Sequence, residues 1–172
     1  MDTISFDKLI LKTAFCCMAA DGHIDNREVK IIKSLCESSP LFNGFNFQDE
    51  INKLVVKMNE RGTEFIEYYF GLLEKSNLST EEELSLIDFA VHTIKADDHM
   101  DYAEIKFFKN IRHRLKVSDD EILERYPDIE IFLEEDIDTG MNLKKMMNQY
   151  LDSVSMPHFV MISVDLDVND IN

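Results

Sequence analysis

Three observations predict an all-α fold. One helix–loop–helix unit is used twice, apolar residues recur at helical spacing from Phe6 to Leu151, and strict period-two alternation is confined to the end of the chain. The expected architecture is a helical bundle of about seven or more helices built from two related helix–loop–helix halves, with a strand-like C-terminal tail. At 172 residues the chain has the length of one domain able to bury a sizeable core. Hydrophobic residues make up 45% and charged residues 30%, with five Gly and three Pro, a balance that excludes a disordered chain. We divide it into a helical domain over 1–152 and an interaction tail over 153–172.

The elements follow in order. Ser5 is a candidate N-cap for a first helix that carries Phe6, Leu9, Ile10, Ala14 and Cys17 at helical spacing up to Ala20. Gly22 then supplies the left-handed residue that closes it. Asp25 with Glu28 three residues later reads as a capping box opening a second helix from Asn26, with Val29, Ile32, Leu35 and Cys36 facing the core. Ser38, Ser39 and Pro40, then Asn43 and Gly44, break the chain. Phe47, Ile51, Leu54, Val55 and Met58 mark a third helix ending near Gly62, and Phe65, Ile66, Tyr69, Phe70, Leu72 and Leu73 mark a fourth.

Thr80 with Glu83 reads as the capping box of a fifth helix carrying Leu84, Ile87, Ala90, Val91 and Ile94. Glu81 and Glu82 lie at the positive end of its dipole. A sixth helix from Tyr102 is expected to bury Ile105, Phe108, Ile111 and Leu115, and Ser118 with Glu121 opens a short seventh that stops before Pro127. After Gly140 an amphipathic stretch bears Leu143, Met146, Met147, Tyr150 and Leu151, read as a core-facing helix. From Ile162 to Asn169 apolar and polar residues alternate without exception, a strand pattern. A lone strand leaves backbone N–H and C=O groups unpaired, so residues 159–170 are expected to be an interaction tail that pairs with its equivalent in a homodimer or adds to a partner's sheet. A disordered terminus is the other reading.

The duplicated unit runs Ala20-Asp21-Gly22-His23-Ile24-Asp25-Asn26-Arg27-Glu28 and returns as Ala96-Asp97-Asp98-His99-Met100-Asp101-Tyr102-Ala103-Glu104, at a constant offset of 76 residues. Ala14 with Ala90, Lys30 with Lys106 and Ile32 with Phe108 extend the match. On these residues the chain resembles the TerB-like family, named for a tellurite-resistance protein and related to the N-terminal domain of the co-chaperone DjlA. The family pattern is an alanine-rich helix, Ala-Asp-Gly-x-Ile-Asp, then x-x-Glu at the head of the next helix. The first copy matches in full, whereas the second has Asp98 for Gly and Met100 for Ile. The resemblance covers residues 3 to about 120 and leaves the tail outside it.

Formal net charge is −16, and between Asp119 and Asp138 ten carboxylates face the single Arg125. Such a field repels a phosphate backbone and argues against nucleic-acid binding, leaving cations or basic protein patches as partners. No apolar run reaches the length of a membrane span, and no basic segment precedes an apolar one at the N-terminus, so a cytoplasmic protein without membrane insertion is expected. Cys16, Cys17 and Cys36 are odd in number and lack C-x-x-C spacing, which reads as reduced core thiols. No nucleophile, zinc-protease or phosphate-loop motif occurs, so no enzyme is expected.

Asp21, Asp25 and Glu28, with Asp97, Asp101 and Glu104, are the candidate site. If the halves pack about a pseudo-twofold axis, both loops meet at one end and offer an all-oxygen set to Ca²⁺ or Mg²⁺, with His23 and His99 as extra ligands for Zn²⁺. Asp98 lies in the same loop. Asp21 to Glu28 spans eight residues against the twelve of an EF-hand loop, and the same residues also read simply as helix caps. The resemblance implies a non-enzymatic accessory or scaffold module in a bacterial stress-response assembly, binding protein partners through the acidic surface. A divalent-cation sensor and a DjlA-like co-chaperone regulatory domain are the alternatives, the last without any His-Pro-Asp signature in this chain.

Overall fold

The computed structural model of the chain describes residues 5–39, 44, 46–96, 102–129, 133, 142–154 and 157–162. Among them are eight helices and no strand: α1 (Phe6–Ala19), α2 (Asn26–Ser38), α3 (Phe47–Arg61), α4 (Thr63–Lys75), α5 (Thr80–Lys95), α6 (Tyr102–Arg112), α7 (Asp119–Arg125) and α8 (Leu143–Ser153). Apart from Ile162, the period-two stretch expected to be a strand lies outside the described residues.

The sequence repeat is also a packing repeat. Its equivalent helices α1 and α5 form the most extensive pair in the bundle, and each also touches both partners of the other unit's pair, α2 and α6. Every residue from Leu9 to Ala20 is buried. A helix apolar on all sides is stable only when surrounded, and α3 and α4 complete the wall around α1. The polar Thr13 is accommodated because its hydroxyl donates to Leu9 O at 2.9 Å and accepts from the Tyr69 hydroxyl at 2.7 Å. Tyr69, Phe70, Phe107 and Tyr150 form the aromatic centre, with ring centroids 5.2–6.1 Å apart. Tyr150 donates to Ala20 O at 2.6 Å, satisfying a carbonyl at the end of α1 that the helix cannot pair itself.

Helix ends follow local chemistry. Gly22 (φ 83°) closes α1, its N–H reaching Ala19 O, and Gly62 (φ 61°) separates α3 from α4. Ser118 caps α7 by accepting from the Glu121 N–H. Ser5 sits at the N-cap of α1 without a side-chain cap bond. The capping box of α5 is displaced by one residue from the expected Thr80 and Glu83: Ser79 accepts from the Glu82 N–H, and Glu82 accepts in turn from the Ser79 N–H. Both registers satisfy the motif. The choice falls to Ser79 because buried Glu83 is engaged elsewhere, accepting from the N–H groups of Lys116 and Val117 at 2.9 and 2.8 Å. In α6, Ile105 is half-buried and Phe107 takes the central place expected for it, while Phe108, Ile111 and Leu115 are buried as expected.

Cys16, Cys17 and Cys36 are buried and unbridged. Burial pushes all three thiols above their ordinary range, Cys36 to about 12. Among the described residues no helix is long and apolar enough to cross a membrane.

Candidate functional site

The first loop is held by its own backbone. Asp21 Oδ1 accepts from the His23 N–H at 2.9 Å, which folds the turn after Gly22 back on itself. Asp25, extended at φ −95°, accepts from the Arg27 N–H at 2.7 Å, and buried Glu28 accepts from the Asp25 N–H at 2.9 Å, completing the capping box. The Arg27 guanidinium lies along the Asp25 carboxylate, 3.2 Å from each oxygen. That hydrogen bond is the main reason the Asp25 carboxyl titrates below the usual carboxylate range.

One buried thiol feels the charges of both glutamates of the repeat. Cys17 lies near the end of α1, and after burial and Cys16 the charges that raise its thiol further are those of Glu104 and Glu28. The Tyr150 hydroxyl, raised mainly by burial, also feels Asp21 and Glu104. Asp21, Glu28 and Glu104 therefore belong to one end of the bundle, around Cys17 and Tyr150. Asp97 and Asp101 lie outside the described residues, as do Asp98 and His99. Among the described residues no group of three or more His, Cys, Asp or Glu side chains is arranged to hold a metal ion.

Sequence reasoning missed the arrangement beside this loop. Residues 157–162 lie as an extended strap along α3, held by two asparagines. Asn59 donates to Phe159 O and accepts from the Phe159 N–H, both at 2.8 Å. Asn52 does the same for Ile162, at 2.8 and 2.7 Å. Both strap residues turn N–H and C=O to the helix, a period of three, as in polyproline II, rather than the period of two of a strand. The spacing matches: seven helical residues rise about 10.5 Å, and three polyproline-II residues advance about 9.3 Å. Phe159 and Ile162 are buried in the core, whereas Val160 and Met161 are 82% and 58% exposed. One side of the strap closes a cleft of about 380 Å³ whose other wall is Gly22, His23, Ile24, Asn26 and Val29, with His158 on the strap's side.

The acidic run is partly tied to the bundle. Arg112 pairs with Asp119, Arg125 with Asp88 at 2.7 Å and Lys95 with Asp128, while the Tyr126 hydroxyl donates to Asp88 at 2.6 Å. Residues 130–132 and 134–138 of that run lie outside the described residues.

A family model described as tellurite resistance protein TerB matches residues 10–124, from within α1 to the last turn of α7. No curated protein and no solved structure matches the chain. The match contains both copies of the repeated unit and the α1–α5 pair at its centre, and the chain belongs to the TerB family.

Proposed function

We infer that the chain is a non-enzymatic accessory module of a TerB-type stress-response assembly and that it binds protein partners through its acidic surface and C-terminal tail. The observation that carries this reading is the strap. Asn52 and Asn59 hold 159–162 so that Val160 and Met161 stand in solvent beside Val56, itself 39% exposed. Exposed apolar residues on a fixed backbone, on a molecule of charge −16, suit a partner with an apolar contact inside a basic rim. Residues 163–172 continue from the strap.

The test compares three forms of the purified protein: unaltered, Val160→Ser/Met161→Ser, and truncated after Ile162. Each is followed for oligomeric state by sedimentation and, as tagged protein at native abundance, for the proteins retained with it. Loss of self-association or of a reproducible partner in either variant, with the melt unchanged, supports the reading. Identical behaviour of all three forms rejects the tail as a binding element.

The divalent-cation sensor is kept as a second reading because the charges of Glu28 and Glu104 are both felt at Cys17, and those of Asp21 and Glu104 at Tyr150. A ligand that binds only the folded state at a hundredfold excess over Kd adds about 2.7 kcal/mol of stability. Chelated protein titrated with Ca²⁺, Mg²⁺, Mn²⁺ or Zn²⁺ should then melt several degrees higher, and Asp21→Asn/Asp97→Asn should abolish the shift. An unchanged melt with every ion leaves these carboxylates as caps.

A further inference from the structure

Against the acidic background, three cations converge on one hollow. A cleft of about 480 Å³ is lined by Lys12 from α1, Lys57, Glu60 and Arg61 from the last turns of α3, and Phe65 and Tyr68 from α4. Lys12 is 7% exposed, and its ammonium lies 5.5 Å from the Phe65 ring centre and 5.3 Å from that of Tyr68. The Arg61 guanidinium lies 5.5 Å from the Tyr68 centre. Among the described residues no carboxylate comes within ion-pair distance of Lys12, Lys57 or Arg61, and Lys12 has no hydrogen-bond acceptor.

A long side chain often buries its stem while the charge reaches water, and ring faces attract a cation. Neither explains why three like charges share the hollow, since each disfavours the others. Burial is the first cause that lowers the Lys12 pKa, with Lys57 and Arg61 lowering it further and Cys16 opposing them. An apolar residue in place of Lys12 would relieve both costs and still fill the space against Phe65 and Tyr68. The neighbouring α4 follows Gly62, which offers no side-chain cap to the N–H groups of its first turn.

We propose that Lys12, Lys57 and Arg61 form an anion-binding pocket for a small molecule carrying a phosphoryl group. Two ammonium groups and one planar guanidinium, one from α1 and two from one face of α3, supply charge-assisted donors to a group with three acceptor oxygens. Glu60, in the same lining, opposes any bound anion and lowers the affinity that the three cations would otherwise give. The Phe65 and Tyr68 rings form the wall on which Lys12 is held.

The experiment is a titration of the purified full chain with inorganic phosphate and with pyrophosphate at constant ionic strength, read by calorimetry and by backbone amide shifts. Binding should saturate, with pyrophosphate tighter than phosphate, and the amides of Lys57, Arg61 and Phe65 should move most. Lys12→Met should weaken binding by about tenfold or more, the loss of one charge-assisted contact. Its thermal midpoint should stay level or rise, the opposite of what a structural lysine would show. Glu60→Gln should tighten binding. Lys57→Gln/Arg61→Gln, both exposed positions, serves if Lys12→Met does not fold, and Lys144→Met on α8 is the charge-matched control. Absence of saturation, or equal affinity in the Lys12→Met or Lys57→Gln/Arg61→Gln form and the Lys144→Met control, overturns the proposal.

Discussion

The first loop and the C-terminal strap solve the same problem with opposite reach. At the loop, orphan N–H groups at the start of α2 meet Asp25 and Glu28, partners no more than three residues away. On the strap, the backbone of Phe159 and Ile162 meets Asn59 and Asn52, a hundred or more residues earlier. The loop's hydrogen bonds form wherever that helix forms. The strap's form only after α3 has been placed in the bundle. The start of α5 shows both modes in adjacent residues: Glu82 closes the local box and Glu83 binds the turn after α6.

The largest effect is expected where the distant contact is also core. Phe159→Ala should cost about 3 kcal/mol, because a nearly fully buried ring leaves a cavity the strap cannot refill. Asn52→Ala/Asn59→Ala, which leaves that ring intact, should cost about 2 kcal/mol, since a detached strap can recover water as a partner. Denaturant melts give both values, and hydrogen exchange at Phe159 and Ile162 should accelerate in the double variant. Unchanged exchange there would mean that the asparagines do not hold the strap.

Next come the adjacent glutamates of α5. Glu83→Ala removes a buried carboxylate from two N–H groups and should cost about 2–3 kcal/mol. Glu82→Ala removes half of an exposed capping box and should cost under about 1 kcal/mol. Equal losses in the two variants would erase the distinction between near and distant partners.

The smallest effect is pH-dependent and belongs to the loop. Arg27 depresses the Asp25 pKa in the folded protein, so this contribution is complete above the unfolded carboxyl value of about 4 and fades as pH falls through the lower folded value. Asp25→Asn should therefore be less stable than the unaltered chain at neutral pH and approach it in melts at the acid end. A difference independent of pH would assign the cap to geometry rather than charge.

Short-range order was legible. The duplicated unit announced α1 with α2 and α5 with α6. The box at Asp25 and Glu28, the left-handed Gly22 and the cap at Ser118 were read from neighbours, because each is satisfied within one turn of chain. The Thr80 and Glu83 register failed because two overlapping motifs were locally equal and a contact 33 residues away decided between them. The repetition left the packing of its halves as a condition, and the structure supplies it in the pairing of α1 with α5.

Asn52 and Asn59 carry no signal of their own in the sequence, since nothing in a span of seven residues announces a backbone far along the chain. Lys12, Lys57 and Arg61 were equally silent: each is common on a helix, and only the approach of α1 to α3 and α4 gathers them into one cleft. The sequence by itself determined what depends on periodicity and on partners within a few bonds: the helices, the caps at Asp25 and Ser118, the buried thiols, the repeat and the net charge. Tertiary structure alone decided which polar side chains meet across the bundle, because that needs two helix faces placed to within the length of a hydrogen bond, and no local pattern encodes it.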